Sequence, residues 1–463
     1  MHYSVIIIGA GMAGIKTAGD LYKAGEKNTL ILEARDRLGG RLKSEKATLN
    51  PEVSYDFGAL WFHDGLQNPL FEKAKKLGNV NYFYDDGKYV YVSEDCKEVP
   101  AWDYERIIKD IETFGQMYFQ DPNHEDISVR ELCSIYLEKH KSELTETQLK
   151  YAQQVVRLWL ELWDGILWEY ASAKHAFLWG VEHVGRNAYV QNGYRTVYQN
   201  ELDELPQKYQ KHNILLNTQV AHIDYSDKSS VTVTTSAGAV FTADYLVVTA
   251  PMSVLRIDDA SDAQFIRWSP PLPARIANMM PECEYGSLGK VVFEFERCFW
   301  PEDVHRFYVL ASELSAEGSA RPWQNPTLIV NYKAMSNVPS LVCLTQDPVS
   351  KQIEHMSPNE IWQLFEPIIS QFATGKVEKP FNVLKTEWNN DPWIRGSYSA
   401  GRVGTQMTDD ICAVMANGVS NRVRFAGAET MEGPSNGCAH GAFYSGEREA
   451  RFILKHKKVN AKI

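Results

Sequence analysis

The sequence has no apolar run approaching the roughly 20 residues that cross a bilayer as a helix. Its longest early apolar feature, Val5 to Gly14, is interrupted by glycines and has no basic leader, so neither a spanning helix nor a secretory signal is expected. Basic charge is short as well. Lys and Arg number 48 against 59 Asp and Glu, a formal net charge of −11. Nucleic acid drops out as a partner, because phosphate binding wants clustered Lys and Arg, whereas a cationic small molecule suits the balance. The seven cysteines are scattered and include no Cys-x-x-Cys pair, which argues against a disulfide framework and the common zinc motifs. The one Asn-x-Ser/Thr sequence, Asn325-Pro326-Thr327, is disqualified for glycosylation by its proline. The final Asn460-Ala461-Lys462-Ile463 is neither a membrane tail nor a Ser-Lys-Leu address. A cytoplasmic protein with free thiols, no membrane partner and no metal is the expectation.

What is present describes an ordinary globular protein, with 44% hydrophobic and 23% charged residues. A chain of 463 residues is too long for one core, so two or three domains are expected. Val5 to Ile8 reads as a buried parallel strand. Gly9 to Gly14 reads as a turn, Ile15 to Ala24 as a helix stopped by Gly25, and Thr29 to Leu32 as a second strand. Helical spacing governs about Trp102 to Trp168. Strands return at Val231 to Thr235 and Tyr245 to Val248, and at Arg422 to Ala426 before a helix from about Cys438 to Lys455.

Gly9-Ala10-Gly11-Met12-Ala13-Gly14 fits G-x-G-x-x-G, and here it follows a strand and opens a helix. Gly9 permits the tight turn, Gly11 lets a pyrophosphate approach the backbone, and Gly14 lets helix and strand pack closely. The helix N-terminus offers free N–H groups and partial positive charge to phosphates. Glu33, at the end of the next strand, can accept hydrogen bonds from ribose hydroxyls. This unit alone leaves FAD and NAD both open.

The continuation Glu33-Ala34-Arg35-Asp36-Arg37-Leu38-Gly39-Gly40-Arg41 resembles the signature of the flavin-containing amine oxidase family. Other motifs extend the resemblance along the chain, towards the yeast-type polyamine oxidases. Asp56-Phe57-Gly58-Ala59-Leu60-Trp61-Phe62-His63-Asp64 resembles the loop beside the isoalloxazine. Ala243 to Pro251 resembles the strand returning to the cofactor domain, and Val220 matches a valine whose backbone meets adenine. Phe425-Ala426-Gly427-Ala428-Glu429-Thr430 and Gly437-Cys438-Ala439-His440-Gly441-Ala442 resemble the C-terminal flavin motif. The resemblance implies cofactor contacts at Gly9, Gly11, Ala13 and Gly14, at Glu33, Ala34, Arg35, Gly40 and Arg41, and at Gly58, Ala59, Leu60 and Trp61. Val220, Trp388, Glu429, Cys438 and Ala439 complete that set, with Glu429 towards the ribityl or phosphates and Ala439 donating its N–H to the pyrimidine.

The catalytic expectations also come from the resemblance. Lys290, in Gly286-Ser287-Leu288-Gly289-Lys290, matches a lysine that reaches the flavin N5 through water, and His63 matches an active-site histidine. Trp168, Asn192, Trp393, Tyr398 and Asp64 match pocket positions. Serine and tyrosine at Ser397-Tyr398, where monoamine oxidases carry a flavin-linked cysteine, imply non-covalent FAD. Phe62, Ala428 and Tyr444 depart from the yeast pattern and bear on substrate preference.

The implied fold is an α/β, Rossmann-like FAD-binding domain (1–85, 205–265 and 415–463) plus an α+β substrate-binding domain (86–204 and 266–414), both discontinuous in sequence. The implied activity is oxidation of polyamines such as spermine or N1-acetylspermine by O₂, giving a shorter amine, an aminoaldehyde and H₂O₂ in a monomer or homodimer. Two alternatives stand beside it. One is an oxidase of a monoamine or L-amino acid, the latter wanting an arginine clamp such as Arg395. The other is a flavoprotein that binds an apolar ligand such as a corticosteroid.

Overall fold

The β-branched run Val5–Ile8 forms the centre of an eight-stranded sheet, inside strand β1 (His2–Ile8). The computed structural model describes residues 1–100, 104–178, 183–314, 318–405 and 408–460. Trp102 and the final Ala461-Lys462-Ile463 lie outside them. Helix α1 (Met12–Lys23) connects β1 to β2 (Thr29–Leu32), and the two strands pair in parallel. Val5 and Ile7 face a core built with α1 and the C-terminal helix Ala439–Asn460, while Ile6 and Ile8 face a second core with Leu246, Val248 and Phe425. Both faces of the strand are therefore covered, which is why it reads as an unbroken apolar run.

The strand Val240–Val248 divides its partners along its length. Its first half pairs antiparallel with Val231–Thr235, and its second half runs parallel to Val423–Phe425, while β1 lies along the opposite edge. The sheet order is Arg267–Ser269, Val220–Asp224, Val231–Thr235, Val240–Val248, β1, β2, Ile214–Leu215. Three separated stretches of sequence thus build one sheet. Arg267–Ser269 belongs to it by pairing with Val220–Asp224, past position 265 where the sequence reading ends the middle segment.

A six-stranded sheet carries the catalytic lysine candidate. Its order is Asn382–Lys385, Gly289–Glu294, Ser340–Thr345, Thr327–Asn331, Arg306–Val309, Tyr89–Val92. Strand alternation sends Val291 and Phe293 into a core with Ile361 and Phe365 of helix Pro358–Gln371. Lys290 and Val292 take the other face, where Val292 packs with Tyr55, Tyr332 and Trp388.

Helices Tyr104–Tyr118, Val129–His140 and Glu146–Asp164 gather round Ile111, Leu132, Val156 and Trp168. The third begins at a Thr145/Gln148 capping box and stops at Gly165, whose φ of +69° suits glycine. Its last two turns carry Leu158, Trp159, Leu162, Trp163 and Asp164 to the wall of a cavity between the two halves.

Candidate active site

A cavity of about 580 Å³ is lined at one end by the Gly9–Ala13 turn and at the other by Trp163, His183 and Tyr398. At the first end the backbone is arranged for an anion. A Cβ on Gly14 would lie 2.0 Å from the Gly9 oxygen, so only glycine lets α1 sit this close to β1. A Cβ on Gly11 would meet nothing within 4 Å, because that side faces the cavity. Among the described residues, no protein acceptor meets the N–H groups of Gly11, Met12 or Ala13, and no side chain caps the helix. That leaves a concave patch of donors of the kind phosphates occupy. Glu33 is oriented by the N–H groups of Ala10 (2.8 Å) and Arg35 (3.0 Å), with lone pairs to spare for hydroxyls. Arg35 pairs with Asp391 at 2.7 Å but leaves its buried Nη1 without a protein partner. Val220 lies on the wall beside Glu33, Ala34 and Arg35.

The cavity wall holds two nitrogen bases whose pKa values are lowered by burial, Lys290 and His63. Lys290 donates from Nζ to the carbonyl oxygens of Asp56 (2.8 Å) and Gly58 (2.5 Å). Burial pulls its pKa down to about 8, against the opposing pull of the Asp56 carboxylate. Asp56, buried itself, is pushed up to about 7 despite donors from Ser44 and the Tyr194 N–H. His63 lies at Nδ1 3.1 Å from Asn187 Oδ1 and stacks on His183 at 4.7 Å between centroids. With Nδ1 donating to that oxygen, Nε2 keeps its lone pair. Burial first, and then His183, pulls His63 down to about 3, so its imidazole is neutral near pH 7.

His63 therefore weakens the fold in acid. The unfolded chain takes up this proton below 6.5 and the folded chain only near 3, so stability is lost as pH falls through that window. Parallel thermal melts at about pH 7 and about pH 5 should show wild type losing more stability than His63→Gln. Equal losses would mean the imidazole titrates freely in the folded protein.

The flavin containing amine oxidoreductase family matches residues 12–454 of the chain. The chain belongs to this family. It is an oxidoreductase built from a flavin-binding and a substrate-binding half, and similar proteins agree. A corticosteroid-binding protein of Candida albicans is 33% identical over 98% of this chain and 96% of its own length. Polyamine oxidase 4 of Oryza sativa is 28% identical, covering 96% of this chain and 87% of its own. Lysine-specific histone demethylase 1 homolog 2 of Arabidopsis thaliana is 28% identical over 97% of this chain and 58% of its own.

The residues present fit the flavin this family carries. Gly58, Ala59, Leu60, Trp61, Trp388, Cys438 and Ala439 line the cavity on from Arg41 and Gly40. Ala439 opens helix Ala439–Asn460, and among the described residues its N–H has no protein acceptor, as a site for an electron-rich ring edge requires. Trp388 donates to the Phe57 oxygen at 3.1 Å, fixing the Gly58 loop.

Five expected positions of this amine oxidoreductase stand away from the wall, Gly14 among them because it is packed against the Gly9 oxygen. Trp168 is fully buried in the helical core, its indole N–H donating to the Leu314 oxygen at 3.3 Å. Asn192 staples two loops, accepting from the Asn81 N–H (3.0 Å) and donating to the Asn79 oxygen (3.0 Å). Glu429 stands behind Arg41, 2.5 Å from its Nη1. Asp64, read as a pocket acid, spends its carboxylate on His183 Nδ1 (3.0 Å), His440 Nε2 (2.9 Å) and the Val184 N–H (2.7 Å). It positions two histidines of the wall. Trp393 and Tyr398 do line the cavity. Arg395, the clamp an amino-acid substrate would need, instead turns to Asp262 (2.8 Å) and Gln264 (2.9 Å). His183, His440, Asn187 and Asp164 of the wall were not predicted. Asp164, the His183–Asn187 stretch and His440 come from three separate segments; His440 falls in the C-terminal motif and Asn187 in the Gly185–Asn192 run that carry a family likeness. Among the described residues, no three His, Cys, Asp or Glu side chains are placed to hold a metal, and no helix is long and apolar enough to cross a membrane.

Proposed function

We propose that this protein oxidises polyamines, spermine and N1-acetylspermine among them, with non-covalent FAD. The observation that carries the reading is a neutral, buried His63 beside a buried Lys290 of lowered pKa, both on the wall of one cavity that continues into the dinucleotide-type turn. A flavin held by the Gly9–Gly11 turn, Glu33, Arg41 and the Gly58 loop would supply two-electron oxidation of the C–H bond beside an amine nitrogen, with O₂ as final acceptor and H₂O₂ as its product. Such oxidation needs the amine unprotonated. The free Nε2 of His63 is an acceptor for an amine N–H and, staying neutral, brings no positive charge beside it. Lys290 with a pKa of about 8 can hold or release a proton near neutral pH, as attack of water on the imine demands. Hydrolysis then yields the shorter amine and an aminoaldehyde.

Non-covalent attachment is supported by the Ser397-Tyr398 pair on the wall and by Cys438, whose thiol burial pushes up to about 12. A thiol held protonated is a poor nucleophile. The corticosteroid-binding relative gives the apolar-ligand reading a specific footing, since aromatic and aliphatic side chains line much of the cavity. Peroxide release and product masses with spermine, N1-acetylspermine, benzylamine and corticosterone separate the readings. Peroxide and an aminoaldehyde from either polyamine support the proposal. Tight steroid binding with no peroxide from any amine overturns it.

A further inference from the structure

The substrate end of the cavity carries one carboxylate that the protein leaves unsatisfied. Asp164, the last residue of helix Glu146–Asp164, lines the cavity wall. Its backbone is fixed from both sides. The Gly165 N–H closes the helix on the Glu161 oxygen at 2.8 Å, and a Cβ on Gly286 would lie 2.2 Å from the Asp164 oxygen. Among the described residues, no donor or cation meets its carboxylate.

The other charged groups nearby are all spent. Glu33, the second acid on the wall, serves the nucleotide end and holds the Ala10 and Arg35 N–H groups. Asp64 is taken by two histidines. Arg35 pairs with Asp391, Arg41 with Glu429 and Arg306 with Asp85, and Lys290 turns to two carbonyl oxygens. Desolvating a carboxylate with no partner is strongly unfavourable, and here, with nothing opposing it, burial pushes the group up to about 7. A cation delivered by a ligand would relieve that cost. The surroundings suit one, because Trp163 and Tyr398 also line the wall and offer ring faces to a charged nitrogen.

We propose that Asp164 anchors a second, protonated nitrogen of the substrate, so that the site selects amines carrying a cation several bonds from the carbon being oxidised. The inference rests on the amine-oxidase reading above. The nitrogen on Asp164 is not the one facing His63. Asp164 directly follows Trp163, whose ring lies 5.6 Å from His183, and His183 in turn stacks on His63 at 4.7 Å. A remote carboxylate also repels the carboxylate of an amino acid and gives a neutral steroid no charge to meet.

Flavin-absorbance titrations of the holoenzyme with octylamine and 1,8-diaminooctane test this, because the two differ by one terminal nitrogen on the same chain. Wild type should prefer the diamine by about tenfold or more, the span of a charge-assisted hydrogen bond. Asp164→Asn should bind both alike, with octylamine affinity and flavin content unchanged, and Asp164→Glu should keep part of the preference. A preference that survives in Asp164→Asn, or is missing from wild type, overturns the proposal. If neither compound perturbs the flavin and no amine reduces it in wild type, the oxidase reading itself has failed and takes the anchor with it, an outcome distinct from a lost diamine preference.

Discussion

Lys290→Met should give a folded protein with its full complement of flavin and turnover slower by roughly 10²-fold or more, the scale on which a positioned acid–base group acts. Methionine matches the length of the lysine stem and fills the same buried space in strand Gly289–Glu294. It cannot donate to the Asp56 and Gly58 oxygens, nor exchange a proton. The nucleotide end of the cavity does not involve this side chain, so flavin content should stay near one per chain. Stopped-flow reduction under nitrogen and reoxidation by O₂ would show which half-reaction slows. Unchanged rates in both would remove Lys290 from the mechanism and leave it a buried tie between strand and loop.

Gly11→Val should purify colourless yet folded, with melting and secondary structure close to those of the flavin-free wild type. The backbone at Gly11 is extended, with φ of −79°, so a side chain costs little strain, and its Cβ would enter open space. That space is where the N–H groups at the start of α1 converge, so two added methyls would displace a phosphate without touching protein. The contrast with Gly14→Val makes the test specific. There the Cβ would strike the Gly9 oxygen at 2.0 Å, and the fold itself should fail. Flavin retained by Gly11→Val would contradict the placement of the phosphates at this turn.

Much of the cofactor half was legible in the sequence because its determinants are local. The Val5–Ile8 run, the glycine turn and Glu33 lie within one βαβ unit, and each does in the structure the packing that its residue type and spacing imply. The far half is built by convergence. His183 and His440 meet on Asp64 from segments 119 and 376 residues further along the chain, and no local pattern foretells that the aspartate serves them. Trp168 shows the reverse error. A large aromatic beside the expected pocket is also what a helical core needs, and the bend after Gly165 turns it inward to Ile111 and Leu132. Asp164, four residues earlier, carries no signal of its own in the sequence, since an acidic residue at a helix end usually sits in water. Only the folded structure shows that this one lines a cavity.

The most direct measurement is the visible spectrum of the purified protein before and after anaerobic addition of spermine. The flavin bands should bleach within seconds and return when air is admitted. A flavin spectrum that persists unchanged through spermine, N1-acetylspermine and simple amines would contradict the assignment of His63 and Lys290 to amine oxidation and would favour the apolar-ligand reading.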